Sequence, residues 1–451
     1  MIHKFTIDGT NIVLDVNSSA VHVVDDLIMR LLDDYRTHDR KMIIQKYIGR
    51  YPEKEILEAL DEIEQLEKEG LLFSADPLHG TTYNPPADGV VKALCLHLAH
   101  DCNLRCRYCF AGQGKFGGDA GLMSLEVGKK ALEFLMSKAG NRRHVEVDFF
   151  GGEPLMNFKV LQELVVYGLE LAESRGKKIK FTVTTNGLLL NPAVEEFLNN
   201  HNISTVLSLD GRPEVHDYMR RTPGGEGSYK YILPNFQRFV ASRKHDDYYI
   251  RGTFTHHNLD FSKDVFHMAE LGFISLSVEP VIAAPGESYA FQEQDIPVLF
   301  EEYEKLARGL LEYYRQGKEL SFFHYNIDLD GGPCLPKRLT GCGAGCEYLA
   351  VAPDGEIYPC HQFVGRKKYL LGNVFDGIRN NEVIDQFRQA HIYNKPECME
   401  CWAKFYCSGG CHANAEAFNQ TLYKPYALAC VLARKRIECA LYVKARMALE
   451  S

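Results

Sequence analysis

The stretch "HDCNLRCRYCF", residues 100–110, places Cys102, Cys106 and Cys109 in one short run. It follows the apolar segment "KALCLHL" (92–98), which predicts a buried strand. Three thiolates in a loop after a strand can converge on one metal centre, but tetrahedral metal sites usually take four protein ligands. The run therefore predicts either a zinc site with a distant fourth ligand or an iron–sulfur cluster with one open iron.

Composition indicates a globular protein with about two or three domains, because 451 residues exceed one ordinary core. The net charge of −9 disfavours a nucleic-acid partner. We see no apolar run near ~20 residues and no signal peptide, so we expect a cytoplasmic protein without a membrane partner.

The 14 cysteines are strongly clustered. In a cytoplasmic chain, clustered cysteines are more often metal ligands or redox centres than disulfides. Beyond the first run, they gather within 334–360 and 398–411, whereas none lies between 110 and 333. Cys95 lies in the apolar segment and is expected to be a buried core residue.

Alternating strands and amphipathic segments from 91 to 320 predict an α/β fold with a parallel sheet, open or closed into a barrel. Chemistry in such folds gathers after the carboxyl ends of the strands. The cysteine run, "GGEP" (151–154), "TNG" (185–187) and "DG" (210–211) all fall there. The six candidate strands are 92–98, 145–150, 180–185, 205–210, 249–255 and 274–280.

Residues 1–80 predict a separate winged-helix-like module. A hairpin over 5–16 turns at Asp8-Gly9. Two helical segments follow, one with apolar residues from Val24 to Leu32, the other containing Ile56, Leu60 and Ile63, and "EGLLFS" (69–74) suggests a short strand. A nucleic-acid-binding winged helix fits poorly because the second helix is acidic. Residues 76–89 are a plausible linker.

Residues 330–439 are loop-rich and cysteine-rich, which predicts a part that needs metal to hold its shape, in a domain expected to span 330–451. Cys342 and Cys360 flank "GAGCEYLAVAPDGEIYP", which includes Cys346. The stretch "CMECWAKFYCSGGC" then gives a C-x2-C-x5-C-x3-C pattern, and Cys430 follows. A zinc ribbon is the alternative, because paired cysteines are also typical of zinc sites. The pattern's four cysteines are Cys398, Cys401, Cys407 and Cys411.

The C-x3-C-x2-C run, with Tyr108 before its last cysteine, resembles the radical S-adenosylmethionine (SAM) family. "FFGGEP" (149–154), "TVTTNG" (182–187) and "LSLDG" (207–211) extend the resemblance along successive strands. It implies a partial (β/α)6 barrel in which Cys102, Cys106 and Cys109 hold a 4Fe–4S cluster. SAM would then bind the open iron through its amino and carboxylate groups.

The same resemblance implies further SAM-binding residues. Gly151 and Gly152 would let the backbone approach, and Glu153 would hold the SAM amine. Asn186 and Asp210 each precede a glycine and could instead serve only as turn residues. The remaining implied contacts are Tyr108, Thr184, Ser208 and Arg220.

The carboxyl-terminal pattern resembles the SPASM domain, which implies two auxiliary 4Fe–4S clusters and hence three in the chain. One set would be Cys398, Cys401, Cys407 and Cys430. The other would be Cys342, Cys360 and Cys411. Its fourth ligand would be Cys346, or its fourth iron would stay open for a substrate thiolate.

The whole chain resembles thioether-forming peptide maturases of the six-cysteine (SCIFF) type, on residues 341–365 and the amino-terminal module. The module resembles a recognition element for ribosomally made peptides. The resemblance implies that residues 1–80 bind the leader of a cysteine-rich precursor. A 5′-deoxyadenosyl radical would start the crosslinking, and a donor such as ferredoxin or flavodoxin would supply electrons.

Three alternatives remain. An anaerobic sulfatase maturase would make formylglycine, but those enzymes lack the module and carry Asp where this chain has His361. Other radical modifications, such as epimerisation or carbon–carbon crosslinking, would share the core. A non-enzymatic zinc or scaffold protein is disfavoured by the GGE and TNG elements.

Overall fold

The structure, a computed structural model, describes residues 1–76, 78, 83, 89–243, 247–329 and 335–450. Most of the expected linker at 76–89 lies outside the described residues, as does Cys334.

The strands form a small sheet and a large one. The small sheet contains β1 (Ile2–Ile7), β2 (Thr10–Asp15) and β3 (Val21–Val24). The large sheet contains β4 (Ala93–Ala99), β5 (His144–Gly151), β6 (Lys178–Thr185), β7 (Ser204–Ser208), β8 (Tyr248–Phe254), β9 (Ser275–Pro280), β10 (Ser321–Phe322), β11 (Tyr348–Val351), β12 (Glu356–Tyr358), β13 (Gly372–Asn373) and β14 (Gly377–Ile378).

The helices lie between and around these strands. Among the described residues, none of them combines the length and the apolar character that crossing a membrane requires. In chain order they are α1 (Asp26–Asp34), α2 (Arg40–Tyr47), α3 (Glu53–Lys68), α4 (Leu125–Lys138), α5 (Phe158–Ser174), α6 (Pro192–Asn200), α7 (Pro213–Met219), α8 (Tyr229–Ser242), α9 (Phe261–Glu270), α10 (Asp295–Arg315), α11 (Leu335–Thr340), α12 (Asn381–Gln389), α13 (Pro396–Met399), α14 (Lys404–Cys407), α15 (His412–Asn419) and α16 (Ala427–Glu450).

The large sheet confirms the expected α/β fold. Strands β4 to β9 lie side by side in chain order, and each neighbouring pair is parallel. Strand β11 adds to the other edge of β4 in parallel, and β12 to β14 continue as antiparallel strands. The strands of the cysteine-rich region therefore continue the same sheet as β4 to β9.

The two faces of the large sheet differ in polarity because side chains alternate along a strand. Phe181 packs toward α5, since a Cβ on Gly168 would lie 2.7 Å from its ring. Thr182 and its cross-strand partner Asp148 therefore point to the opposite side, which we call the inner face. The strand register places four further residues on the inner face: Thr184, Ser208, Arg251 and Glu279.

The amino-terminal sheet begins with the predicted hairpin, in which Asp8 (φ 50°) and Gly9 (φ 71°) form the turn. The hairpin is thus confirmed, but two further predictions for this module were wrong. Residues 69–74 form no strand, and Val24 ends strand β3 because the Asp25 side chain accepts from the Ile28 N–H and starts α1 after it. Helix α2 was not predicted, since its short segment has little apolar periodicity.

The module packs firmly on the rest of the chain. Val13 contacts the module's own helices, whereas Ile12 and Leu14 on the other face of β2 join the main core. The His3 ring stacks on Trp402, with ring centroids 3.8 Å apart. Strand β2 is therefore covered on both faces.

Candidate active site

The cysteine loop begins directly after β4 and is fixed by contacts with two other loops. The Arg105 N–H donates to the Arg221 carbonyl at 2.6 Å. The Cys102 sulfur accepts from the Leu104 N–H at 3.4 Å and from Asn186 Nδ2 at 3.6 Å. Donors aimed at a sulfur atom suit a negatively charged thiolate.

Without metal, burial favours the neutral thiol forms of Cys102 and Cys106. Burial raises the pKa of Cys102 to about 12, and nearby Glu153 contributes in the same direction. Burial likewise raises the pKa of Cys106 to about 11, although Arg220 opposes the shift. Because iron binds the thiolate, assembly of a cluster in this loop would release protons.

The two glycines of the GGE element bring β5 against the cysteine loop. A Cβ on Gly151 (φ 122°) would lie 2.3 Å from the Ala99 carbonyl oxygen, and one on Gly152 would lie 2.0 Å from that of Asp101. The Gly152 N–H donates to Ala99 at 2.8 Å, and the Glu153 N–H donates to Asp101 at 2.9 Å. Only glycine allows this approach, which delivers Glu153 next to Cys102.

Replacing Gly152 by Ala is expected to lower SAM cleavage at least about tenfold, because the new methyl group must displace the backbone that carries Cys102. The measurement is 5′-deoxyadenosine formation per bound iron under anaerobic conditions. The matched control is Gly121→Ala, since a Cβ there meets nothing within 4 Å. Equal rates in the two variants would contradict the close-approach argument.

Glu153 is a buried carboxyl group, 1% exposed. It accepts from Thr185 Oγ1 and the Asn186 N–H, both at 2.8 Å, and from the Leu155 N–H at 3.1 Å. Burial raises the pKa of Glu153 to about 7, and these donors oppose the shift. No salt bridge to it is formed within the described residues. A buried carboxylate without a counter-ion fits the ammonium group of SAM.

Both carboxylate oxygens of Asp210 already contact other groups of this chain. Tyr108 donates to its Oδ2 at 2.6 Å, Arg220 Nε lies 3.1 Å from the same oxygen, and the Thr253 N–H donates to Oδ1 at 3.0 Å. The structure therefore brings Tyr108, Asp210 and Arg220 together, with the guanidinium 5.5 Å from the Tyr108 ring centroid. In this arrangement Asp210 positions Arg220, and the arginine is the group left to meet a carboxylate.

The other expected SAM contacts lie at neighbouring strand ends. Asn186 Nδ2 donates to Asn103 at 2.8 Å, so its side chain ties β6 to the cysteine loop. Thr184 and Ser208 lie half-buried on the inner face. Thr184 was predicted from the sequence, whereas Thr185, the next residue of "TTNG" (184–187), was missed. The Thr185 hydroxyl donates a hydrogen bond to Glu153.

An ion pair on the inner face was also missed. Arg251 Nη2 lies 2.6 Å from Glu279 Oε2, and their side chains are 44% and 38% exposed. Although burial opposes it, Arg251 and His324 lower the pKa of Glu279 to about 2, so the carboxyl group is ionised. Strict alternation in "YIRGTFT" (249–255) could have shown that Arg251 lies opposite the apolar face.

The first group of auxiliary cysteines, which we call set A, contains Cys398, Cys401, Cys407 and Cys430. Burial raises the pKa of Cys430 to about 11, and the thiols of Cys407 and Cys401 raise it further. Burial also raises the pKa of Cys398 to about 12, with contributions from the other three. Such mutual effects require that the four sulfurs lie close together.

The second group, set B, contains Cys342, Cys360 and Cys411. Burial raises the pKa of Cys360 to about 12, and Cys411 and Cys342 add to the shift. Burial raises the pKa of Cys346 to about 11, and Cys342 acts on it as well. The Cys346 sulfur lies 3.9 Å from the Ile384 carbonyl oxygen. Within the described residues, no group of three or more His, Cys, Asp and Glu is spaced to hold a single metal ion.

Family models match two parts of the chain. A model described as a 4Fe-4S single cluster domain matches residues 88–234, which contain the cysteine loop and Glu153. A model of the SPASM iron-sulfur cluster-binding domain matches residues 342–402, which contain Cys342, Cys346 and Cys360.

Curated relatives include a radical SAM synthase and a sulfatase-maturating enzyme. The radical SAM cyclopropyl synthase TigE of Paramaledivibacter caminithermalis is 23% identical over 71% of this chain and 68% of its own length. A cysteine-type anaerobic sulfatase-maturating enzyme of Clostridium novyi is 24% identical over 70% of this chain and 86% of its own length.

Solved structures share the fold. Native anSMEcpe with bound AdoMet superposes with a TM-score of 0.65 at 20% identity, over 79% of this chain and 99% of that chain. Streptococcus suis SuiB bound to precursor peptide SuiA gives a TM-score of 0.53 at 16% identity, over 95% of this chain and 98% of that chain.

Proposed function

We propose that this chain, a radical SAM enzyme with a carboxyl-terminal SPASM domain, installs thioether bonds between cysteine sulfurs and carbon atoms of a cysteine-rich precursor peptide. The observation that carries the proposal is the exposure of set B. In set B, Cys342 and Cys411 are exposed and Cys360 is buried, whereas in set A Cys398 is buried and the other three cysteines are partly covered. A substrate thiolate can therefore approach set B, which has three cysteines.

When bound, the cysteine-loop cluster and SAM supply the radical that removes a hydrogen atom from an unactivated carbon. The chain's own residues would bind SAM and orient it. The Glu153 carboxylate accepts the SAM amine, and Arg220, held by Asp210, lies beside Tyr108 to receive a carboxylate. Burial of Glu153 strengthens that ion pair because the surrounding medium is poorly polarisable.

The inner face links this site to set B. His361, directly after Cys360, places its ring 5.0 Å from Phe150 and 5.7 Å from Phe110. Phe150 leads into the GGE element, and Phe110 follows Cys109, so these two ring contacts of His361 connect set B with the cysteine loop. A peptide on the inner face would lie between the hydrogen-abstraction site and the sulfur-binding site.

Replacing Arg251 by Met is expected to lower peptide modification about tenfold while uncoupled SAM cleavage continues. The arginine and Glu279 are ionised polar groups exposed on the inner face, where peptide amides would bind. The two rates are measured by peptide mass and by 5′-deoxyadenosine yield. Arg238→Met is the matched control, because Arg238 forms a similar ion pair with Glu195 at 2.5 Å in the α6–α8 region. An equal loss in both variants would contradict a substrate-binding role.

We further propose that residues 1–80 bind the leader segment of the precursor. Strand β3 is an edge strand in the part of the chain that the structure describes, because it pairs with β2 alone. A leader can add a strand to such an edge. An electron donor such as ferredoxin or flavodoxin completes the proposed set of partners.

The direct test is anaerobic turnover with SAM, dithionite and a cysteine-rich precursor encoded beside the gene, read by mass spectrometry. Thioether formation removes two hydrogens from the peptide, one as an atom and one as the thiol proton, with one electron returned to the enzyme. The expected product keeps this mass loss after thiol reduction, and the bridged cysteine resists alkylation. The same mass loss with every cysteine still alkylated would replace the proposal by carbon–carbon crosslinking.

Formylglycine formation is the second candidate, favoured by the likeness to a sulfatase-maturating enzyme. His361 disfavours it, because it occupies the position where the resemblance expects an aspartate base. The discriminating substrate is a short sulfatase-type peptide with one target cysteine. An aldehyde product on that peptide, and no change in the cysteine-rich precursor, would favour the second candidate.

A further inference from the structure

Lys395 is a fully buried lysine that none of the roles above uses. Its side chain is 0% exposed and is among the largest completely buried side chains of the described residues. Lysine is rarely buried to this extent unless a counter-charge accompanies it. The residue lies immediately before helix α13.

Lys395 contacts backbone groups next to both auxiliary cysteine sets. Its carbonyl oxygen accepts from the Cys398 N–H at 2.8 Å, which ties its backbone to set A. Its ammonium group donates to the Gly409 carbonyl at 2.8 Å. Gly409 lies in the three-residue link between Cys407 of set A and Cys411 of set B. The cation is therefore located at the junction of the two sets.

Gly409 provides the space for this ammonium group. Its backbone has a φ of 83°, and a Cβ there would lie 3.0 Å from Lys395 Nζ. Glycine at this position therefore allows the left-handed backbone conformation and leaves room for the ammonium group of Lys395.

Among the described residues, no carboxylate forms a salt bridge with Lys395. Lys404 of the same region, in contrast, lies 2.8 Å from Asp76 Oδ2. A buried cation requires a counter-charge, because desolvation of an isolated ion is very costly. Burial lowers the pKa of Lys395, and the nearby cysteine sulfurs oppose this shift: Cys398 and Cys407 of set A, and Cys411 and Cys342 of set B. As metal-bound thiolates, these sulfurs would supply the counter-charge.

We propose that Lys395 is a counter-cation shared by the two auxiliary clusters, which stabilises their reduced forms and raises both reduction potentials. Each one-electron reduction adds a negative charge to a cluster. A fixed ammonium group nearby, in a poorly polarisable interior, stabilises the more negative state. The inference rests on sets A and B holding clusters and does not depend on which bond the enzyme forms in its substrate.

The test compares Lys395→Gln, Lys395→Met and Lys395→Arg in the full-length, anaerobically reconstituted protein, by redox titration followed with electron paramagnetic resonance. The Gln and Met variants are expected to lower the equilibrium constant for reduction of both auxiliary clusters about tenfold, equivalent to about 59 mV. The Arg variant keeps the charge and is expected to keep both potentials. The cysteine-loop cluster serves as the internal reference and should not shift.

Lys435→Met is the matched control, because Lys435 already pairs with Glu304 at 2.6 Å. Unchanged potentials in the Gln and Met variants with full iron content would overturn the proposal, as would a shift confined to one auxiliary cluster. If Gln and Met lose auxiliary iron, retained iron and potentials in the Arg variant would support it, and loss in the Arg variant too would overturn it. A shift of the same size in Lys435→Met would also overturn it. None of these outcomes requires a peptide substrate.

Discussion

Replacing Cys102, Cys106 and Cys109 together by Ala is expected to abolish SAM cleavage while leaving about eight irons bound in the two auxiliary clusters. The loop of these cysteines adjoins Glu153 and Asn186, where SAM is proposed to bind. Sets A and B lie in the carboxyl-terminal region and keep all their sulfurs. The measurements are iron and sulfide content per chain and 5′-deoxyadenosine formation with dithionite.

Cys439→Ala provides the control for this triple variant. Cys439 is a fully buried cysteine of helix α16 that belongs to neither auxiliary set, so its loss should spare both iron content and SAM cleavage. Residual 5′-deoxyadenosine formation by the triple variant would contradict the assignment of the loop. Loss of all iron would contradict the independence of the three cysteine groups.

The central part of the fold was predictable because its strands are long and apolar. All six expected strands occur as β4 to β9, with boundaries shifted by a few residues. Buried strands that alternate with helical periods leave few other arrangements than a parallel sheet. The small elements were not predictable, since β10, β13 and β14 have two residues each and carry no periodicity.

Helix α16 shows a second limit of sequence reasoning. Residues 330–439 were expected to be loop-rich, yet helix α16 begins within them, at Ala427, and continues for 24 residues to Glu450. Its apolar residues are spread around the helix because it packs on several elements, including α10, α14 and β1. A helix that is buried on several sides lacks the single apolar stripe by which amphipathic helices are recognised.

Site residues were predictable where one short motif contains both the reactive side chain and the glycine that positions it. Gly152 and Glu153 are such residues, since the glycine allows the approach and the carboxylate follows it. Thr185, Arg251 and Lys395 were missed because their roles depend on strand register or on contacts between distant segments. Local sequence carries no signal for a lysine buried between two cysteine groups.

The amino-terminal module gives the second prediction. Replacing Val23 by Asp is expected to weaken binding of the full precursor about a hundredfold, equivalent to about 2.8 kcal/mol. Val23 is 42% exposed on the edge strand β3, so a leader strand added there would bury the new carboxylate without a partner. Binding is measured by fluorescence anisotropy of a labelled precursor, and turnover by mass spectrometry.

A point substitution tests this module better than its removal. Deleting residues 1–80 should also end peptide modification, but it would expose the core surface that Ile12 and Leu14 cover, and unstack Trp402 from His3. Such a deletion confuses lost recognition with lost stability. Val23 pairs with Ile12 through the backbone, so its side chain can change while the sheet is kept.

Val166→Asp is the matched control, because Val166 is similarly exposed, at 45%, on helix α5 of the barrel. The Val23 variant should keep uncoupled SAM cleavage and should bind a leaderless core peptide as well as the unchanged protein does. The ratio between full-length and leaderless precursor therefore isolates the contribution of the leader. If both peptides lose affinity equally, or if Val166→Asp causes the same loss, the leader binds elsewhere and the β3 edge has another role.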